Sequence, residues 1–162
     1  MDEPKKAGIL QYDDEKHWGR LIYIAKKHLD IWSHRNIRPD YGQMKLSYMP
    51  LIFNVQQNGI TNTEISKKAL IAKQAMSRTV KELEEKGLIT SQPLKKDKRS
   101  YKIHLTDDGK KFVNDSNTKM LGLIDEYRKL VGDKEFDITV DVLSKIIRYH
   151  EKLNMETDDA DE

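Results

Sequence analysis

A mostly α-helical protein carrying one small β-hairpin is what this sequence predicts, and three observations predict it. Apolar residues recur at steps of three or four through the long stretches 13–35, 73–86, 107–131 and 136–153, the period of a helix with one buried face. One short stretch alternates instead, with Tyr101, Ile103 and Leu105 set against Lys102 and His104. It follows another short apolar run, Leu88–Gln92, across a charged turn, as the two strands of a hairpin would.

The elements follow in order. The first ten residues are expected to be mobile. From about Asp13 an amphipathic helix begins, with Trp18, Leu21, Ile22, Ala25, Leu29 and Trp32 on one face; it should end before the stretch Asn36–Tyr41, where Pro39 disfavours helix at the residue before it. A shorter helix is expected over Leu46–Gln56, either starting near Ser47 or kinked at Pro50. Asn58-Gly59 marks a turn. Thr61-Asn62-Thr63-Glu64 then reads as a capping box, because the Thr hydroxyl can accept from the Glu amide while the Glu side chain reaches back. It opens a short helix ending near Ala69. The next helix spans about Lys73–Lys86 and stops at Gly87, which can take the left-handed conformation. After the hairpin, Thr106-Asp107-Asp108 starts a helix that should reach Val131 with Phe112, Met120, Leu123, Ile124, Tyr127 and Leu130 inward. Gly132-Asp133 breaks it. A last helix from Phe136 to Leu153 turns Val140, Leu143, Ile146 and Ile147 inward, and residues 156–162 form an acidic tail expected to be disordered.

Composition narrows the class of function. The chain has no cysteine, which excludes a disulfide framework, a thiolate zinc site and a cysteine redox sensor, and fits a cytoplasmic location. No apolar run reaches the roughly 18 residues of a membrane span, and the start of the chain lacks the apolar core of a signal peptide. The net charge of +2 conceals a division. Residues 61–105 hold eleven Lys and Arg against five acids, a net +6, so the rest of the chain is acidic. A basic middle between acidic flanks is the footprint of a segment that binds a polyanion. Asp13/His17 and Asp30/His34 have helical i, i+4 spacing, but without further ligands they read as surface pairs rather than a metal site. There is no Gly-rich phosphate loop, no nucleophile elbow and no paired-His motif, so neither an enzyme nor a cofactor is expected. His104 reads as a surface or interface residue.

Helix, turn, helix and hairpin in that order outline a winged helix-turn-helix over 44–106. In its second helix Met76, Val80 and Leu83 form an inward stripe, and Gln74, Arg78 and Lys81 fall opposite at the same spacing. Those three side chains suit base edges and phosphates, with Lys73 and Ser77 flanking them and Thr63 on the preceding helix. At the hairpin tip, Lys95, Lys96, Lys98 and Arg99 surround Asp97. A carboxylate two residues before an arginine can orient its guanidinium for a narrow minor groove.

These features together resemble the MarR family of bacterial transcription regulators. The resemblance rests on Thr61-Asn62-Thr63-Glu64-Ile65, on the run from Ala75 to Ile89 with Leu83-Glu84-Glu85-Lys86-Gly87-Leu88, on Asp97-Lys98-Arg99, and on Leu105-Thr106-Asp107-Asp108-Gly109. It covers about 50 residues closely. Members of the family often have Gly in the tight turn and Ser or Thr capping the reading helix; Leu70 and Ala72 stand there in this chain. The resemblance implies binding of double-stranded DNA at a pseudo-palindromic operator by a homodimer, with 11–34 and 107–154 as the helical dimerisation region. It also implies a small aromatic or acidic ligand, for which Trp18, His28, Trp32, Tyr48, Met49 and Phe53 are candidates; they read equally well as core or interface residues. The alternative is a winged helix used for protein–protein contact, which predicts an apolar exposed face on the Lys73–Lys86 helix.

Overall fold

A computed structural model describes residues 16–37, 41, 44–94 and 100–158. The fold is mostly helical with a small antiparallel sheet: α1 (Trp18–Asn36), α2 (Met49–Ile52), β1 (Ile60–Thr61), α3 (Asn62–Ala69), α4 (Lys73–Glu85), β2 (Ile89–Pro93), β3 (Tyr101–Leu105), α5 (Asp107–Val131) and α6 (Asp133–Asp158). The chain divides into two compact units, Met1–Val113 and Asn114–Glu162. The expected mobile segment 1–10 lies outside the described residues.

In the first unit, α1 is capped by His17, whose Nδ1 accepts from the Arg20 amide at 3.1 Å. A single 3-10 turn, Leu46–Tyr48, leads into α2, and Pro50 falls within the first positions of α2, where its missing N–H costs nothing. The helix expected to reach Gln56 stops at Ile52. Asn54 ends it: its side-chain amide donates to the Pro50 carbonyl at 2.7 Å and its backbone N–H to Leu51 at 3.0 Å.

The sheet has the order β1-β3-β2. Sequence patterning revealed only two of its strands. The third, β1, is two residues long and pairs Ile60 with Ile103 and Thr61 with Lys102. The hairpin pairs Ile89 with Leu105 through Pro93 with Tyr101, and the Leu94 amide donates to the Ser100 carbonyl at 2.8 Å. The core gathers Met44, Tyr48, Leu51, Ile52, Ile65, Met76, Leu83, Ile89, Ile103 and Phe112, with Trp32, Met49 and Val80 packed against it. Phe112 meets the Tyr41 ring edge-on at 4.8 Å.

The join between sheet and α5 explains Leu-Thr-x-x-Gly. Thr106 donates its hydroxyl to the Gly87 carbonyl at 2.6 Å and accepts from the Gly109 amide at 3.0 Å, while its own N–H donates to Leu88 at 3.1 Å. A Cβ at Gly109 would lie 1.9 Å from the Leu88 carbonyl oxygen. Only glycine lets the helix approach the strand backbone so closely.

In the second unit, Gly132 at φ +92° turns the chain between α5 and α6. Arg128 fastens this corner, donating to Asp133 at 3.1 Å and Asp137 at 2.6 Å over the Phe136 ring. The last helix starts three residues before Phe136 and continues past Leu153 to Asp158, so the first residues of the acidic stretch 156–162 are helical rather than disordered. Several residues expected to face inward do not do so within one chain: Leu130 is 79%, Val140 48% and Ile147 57% exposed. Helical periodicity shows which face is apolar, but not whether the same chain supplies the surface that covers it.

Candidate nucleic-acid interface

The reading segment is built from α3 upward. Its capping box is complete: Thr61 Oγ1 accepts from the Glu64 amide at 3.2 Å, and Glu64 Oε2 accepts from the Thr61 amide at 2.8 Å. These bonds to the Thr61 backbone and hydroxyl hold the Glu64 carboxyl below the usual carboxylate range. Ile65 and Ser66 are buried while Thr63, Lys67 and Lys68 stay exposed, so α3 turns one face to the core.

Between α3 and α4 the chain reverses at Leu70, which takes the left-handed conformation, φ 53° and ψ 42°. The Ile71 amide reaches back to the Ser66 carbonyl at 3.1 Å, closing the helix end in the manner usual for glycine. A non-glycine residue is strained there by roughly 1–2 kcal/mol. The Leu70 side chain, 82% exposed, gains no burial in return. At the start of α4, Ala72 provides no side-chain cap. The two positions that depart from the family pattern are therefore a strained turn and an uncapped helix. A different contact ties the helices together: Asn62 Nδ2 donates to Ser77 Oγ at 3.0 Å.

Helix α4 separates its faces as its spacing predicts. Met76 and Leu83 are buried and Val80 partly so, whereas Gln74, Arg78 and Lys81 are exposed on the opposite side. Lys73 opens the helix. Ser77 is drawn toward α3 and the sheet; it lines a cleft of about 360 Å³ with Asn62, Val80, Glu84, Ser91, Tyr101 and Ile103. Within it Ser91 donates to Glu84, and the Asn62 side-chain oxygen is buried without a hydrogen-bond partner. The wing candidates Lys95, Lys96, Asp97, Lys98 and Arg99 lie outside the described residues.

One residue that pattern reading passed over organises the exposed face. Glu82 Oε2 accepts from Lys45 Nζ at 2.7 Å and from the Tyr48 hydroxyl at 2.8 Å, and Oε1 accepts from Arg78 Nε at 3.0 Å. Lys45 first, then Tyr48 and Arg78, pull its carboxyl down to about 2. The i, i+4 spacing of Arg78 and Glu82 is legible in sequence. The other two partners are 37 and 34 residues away, and no local pattern marks them.

The six ligand candidates do not form one lining. Tyr48 is a core residue bonded to Glu82, and Trp32 and Met49 pack on the same core. Phe53 is 41% exposed with its ring 6.1 Å from Phe112. Trp18, 50% exposed, precedes Trp32 by 14 residues on α1, about 21 Å at the rise of a helix. His28 is exposed. Elsewhere on α1, His17 caps the helix and Asp30 pairs with Lys26. Among the described residues, no helix is long and apolar enough to cross a membrane.

Comparison with known proteins places this geometry. Residues 55–101 match the model of the MarR family. Over 104 residues the chain is 26% identical to the HTH-type transcriptional regulator YdgJ of Bacillus subtilis; the match covers 64% of this chain and 62%, less than two thirds, of that relative. A MarR transcriptional regulator from Methanosarcina mazei Go1 superposes with a TM-score of 0.75 at 23% identity, covering 83% of this chain and 96% of its own. Streptococcus pneumoniae FabT, solved in complex with DNA, superposes with a TM-score of 0.67 at 15% identity, covering 85% and 99%. The family model thus falls on the segment from just after α2 to the start of β3, and the winged-helix fold is shared with solved MarR regulators.

Proposed function

We propose that this chain is a sequence-specific transcription regulator that binds a pseudo-palindromic operator in double-stranded DNA as a homodimer. The observation that carries this reading is the face of α4. Gln74, Arg78 and Lys81 stand exposed on a helix whose other side is locked into the core by Met76 and Leu83. Long polar and cationic side chains on a rigid helix suit base edges and phosphates in a major groove. Thr63, Lys73 and Ser77 flank that face, and Lys95, Lys96, Lys98 and Arg99, with Asp97 orienting the arginine, supply the minor-groove contact. The DNA-bound state of the FabT neighbour supports the same use of the fold. A protein-docking winged helix would instead present apolar groups on this face of α4.

The domain assignment belongs to the same reading: 44–106 is the DNA-binding head, and 11–34 with 107–154 form the dimerisation region. Its support is the apolar surface left over in one chain. On α1, Trp18, Leu21, Ile22 and Tyr23 are between 41% and 59% exposed. On α6, Ile138, Val140, Ile147 and Tyr149 are between 48% and 61% exposed. A second copy would cover such faces. Two heads on a twofold axis then read half-sites about 10 base pairs apart. A small aromatic or acidic effector acting at Trp32, Tyr48, Met49 or Phe53 would release the operator, in the cytoplasm where the DNA lies.

Selection of bound duplexes from a random pool, followed by salt titration of the selected sequence, tests the reading. A dyad-symmetric sequence whose affinity falls steeply with salt is the expected result. Failure to enrich any sequence, or affinity independent of salt, would sink it. Arg78→Ala should lower operator affinity by about 1–3 kcal/mol and relax the preference at one position per half-site. A benzoate titration of the protein–operator complex tests release.

A further inference from the structure

We infer that Glu82 is a positioning residue for DNA reading, holding the Arg78 guanidinium side-on from a carboxylate that Lys45 and Tyr48 anchor. This rests on the proposed role of α4 and goes beyond it, because Glu82 faces no base itself.

An isolated Arg–Glu pair at i, i+4 would not hold a pose. Exposed pairs of this kind are weak, and Arg placed N-terminal to Glu is the weaker order. Here the carboxylate has two anchors besides Arg78. Tyr48 is 2% exposed, its ring fixed among the core residues, and its hydroxyl donates to Oε2. Lys45 donates to the same oxygen, with its ammonium 5.5 Å from the Tyr48 ring centre. The rotamer entropy of Glu82 is thus lost on folding, not on binding DNA, which is how a preorganised contact gains specificity.

The direction of the bond to Arg78 matters as much as its presence. Nε is the inner nitrogen of the guanidinium. Holding it at 3.0 Å from Oε1 leaves the terminal Nη1/Nη2 edge for an outside acceptor. That edge pairs bidentately with guanine O6 and N7. The Arg78 side chain is 81% exposed, so the held group projects from the helix rather than folding onto it.

Charge supplies the distinguishing signature. Glu82 is one anion between two cations, Lys45 and Arg78. Removing its charge frees both for phosphates while loosening the base reader. A positioning residue therefore predicts opposite changes on two substrates: weaker discrimination, yet tighter binding to unrelated DNA with a steeper salt dependence. Loss of structure would weaken both.

The test uses the full chain as wild type, Glu82→Gln and Arg78→Ala, with a selected operator and an unrelated duplex across a salt series. The Arg78 side-chain Nε–H resonance, assigned by its loss in Arg78→Ala, is followed without DNA. Glu82→Gln should cut the operator-to-unrelated ratio about tenfold, steepen the salt slope on unrelated DNA by about one, and shift the Nε–H resonance toward that of a free arginine. An unchanged ratio and resonance in Glu82→Gln, with discrimination lost in Arg78→Ala, overturns the inference and leaves the reading helix standing. Unchanged sequence preference in Arg78→Ala overturns both. Should Glu82→Gln not fold, the double variant Lys45→Met/Tyr48→Phe keeps the carboxylate without its anchors; full discrimination there also overturns the inference.

Discussion

The segment around α2–β3 and the two helices α1 and α6 use similar amounts of apolar sequence in opposite ways. In the first, Met44, Leu51, Ile52, Ile65, Leu83 and Phe112 are all completely buried within one chain, and the polar ends of its elements are satisfied by Thr61, Asn54 and Thr106. In α1 no residue is buried, and the apolar positions of α6 are largely open. The first segment closes its core with Trp32 of α1 and Phe112 of α5 packed into it, whereas the rest of α1 and most of α6 leave apolar side chains exposed. Under the proposed function a second copy would cover those faces, and the spacing of two heads would then be set where the chains meet.

The largest effect should come from breaking the head. Gly109→Ala places a methyl 1.9 Å from a backbone oxygen that cannot swing aside, and should cost about 3 kcal/mol in urea unfolding. Loss of less than 1 kcal/mol would show that α5 is free to withdraw from Leu88. Next is a test of the helices. Ile147→Glu, at a position 57% exposed in one chain, should leave the unfolding of that chain nearly unchanged yet weaken self-association by about 2 kcal/mol, some thirtyfold. Sedimentation equilibrium measures it, and undiminished association would move the interface away from this face of α6.

Acid sharpens the comparison further. Glu82 is held at about 2 by Lys45, Tyr48 and Arg78, against an ordinary value of 4.5. Because the folded value is depressed, its contribution is fully present above about pH 4.5 and is lost as pH falls toward 2. The stability gap between wild type and Glu82→Gln should be flat at neutral pH and close within that window; a gap persisting at pH 2 would mean that the carboxylate charge is not its source. The smallest effect is a gain. Ala72→Ser supplies the missing cap of α4 and should raise stability by about 1 kcal/mol, read as an upward shift of the thermal midpoint with DNA preference retained.

Much of this was legible beforehand. The capping box at Thr61, the stop at Gly87 and the opposed stripes of α4 depend on neighbours within one or two turns, and they appear where spacing put them. The misses share the opposite character. β1 is too short to show alternation and exists because β3 offers it an edge. The early end of α2 depends on the Asn54 side chain turning back on its own helix.

The reading helix sharpens the same distinction. The sequence by itself determined that α4 has a cationic face and an apolar one, because helical geometry converts spacing into direction without reference to the rest of the chain. Only the tertiary structure decided that Arg78 is held by its inner nitrogen, that its holder is anchored by Lys45 and Tyr48, and that Gly109 must lack a side chain. Those contacts join residues up to 37 positions apart, and such pairings arise only when a shared core brings distant segments together.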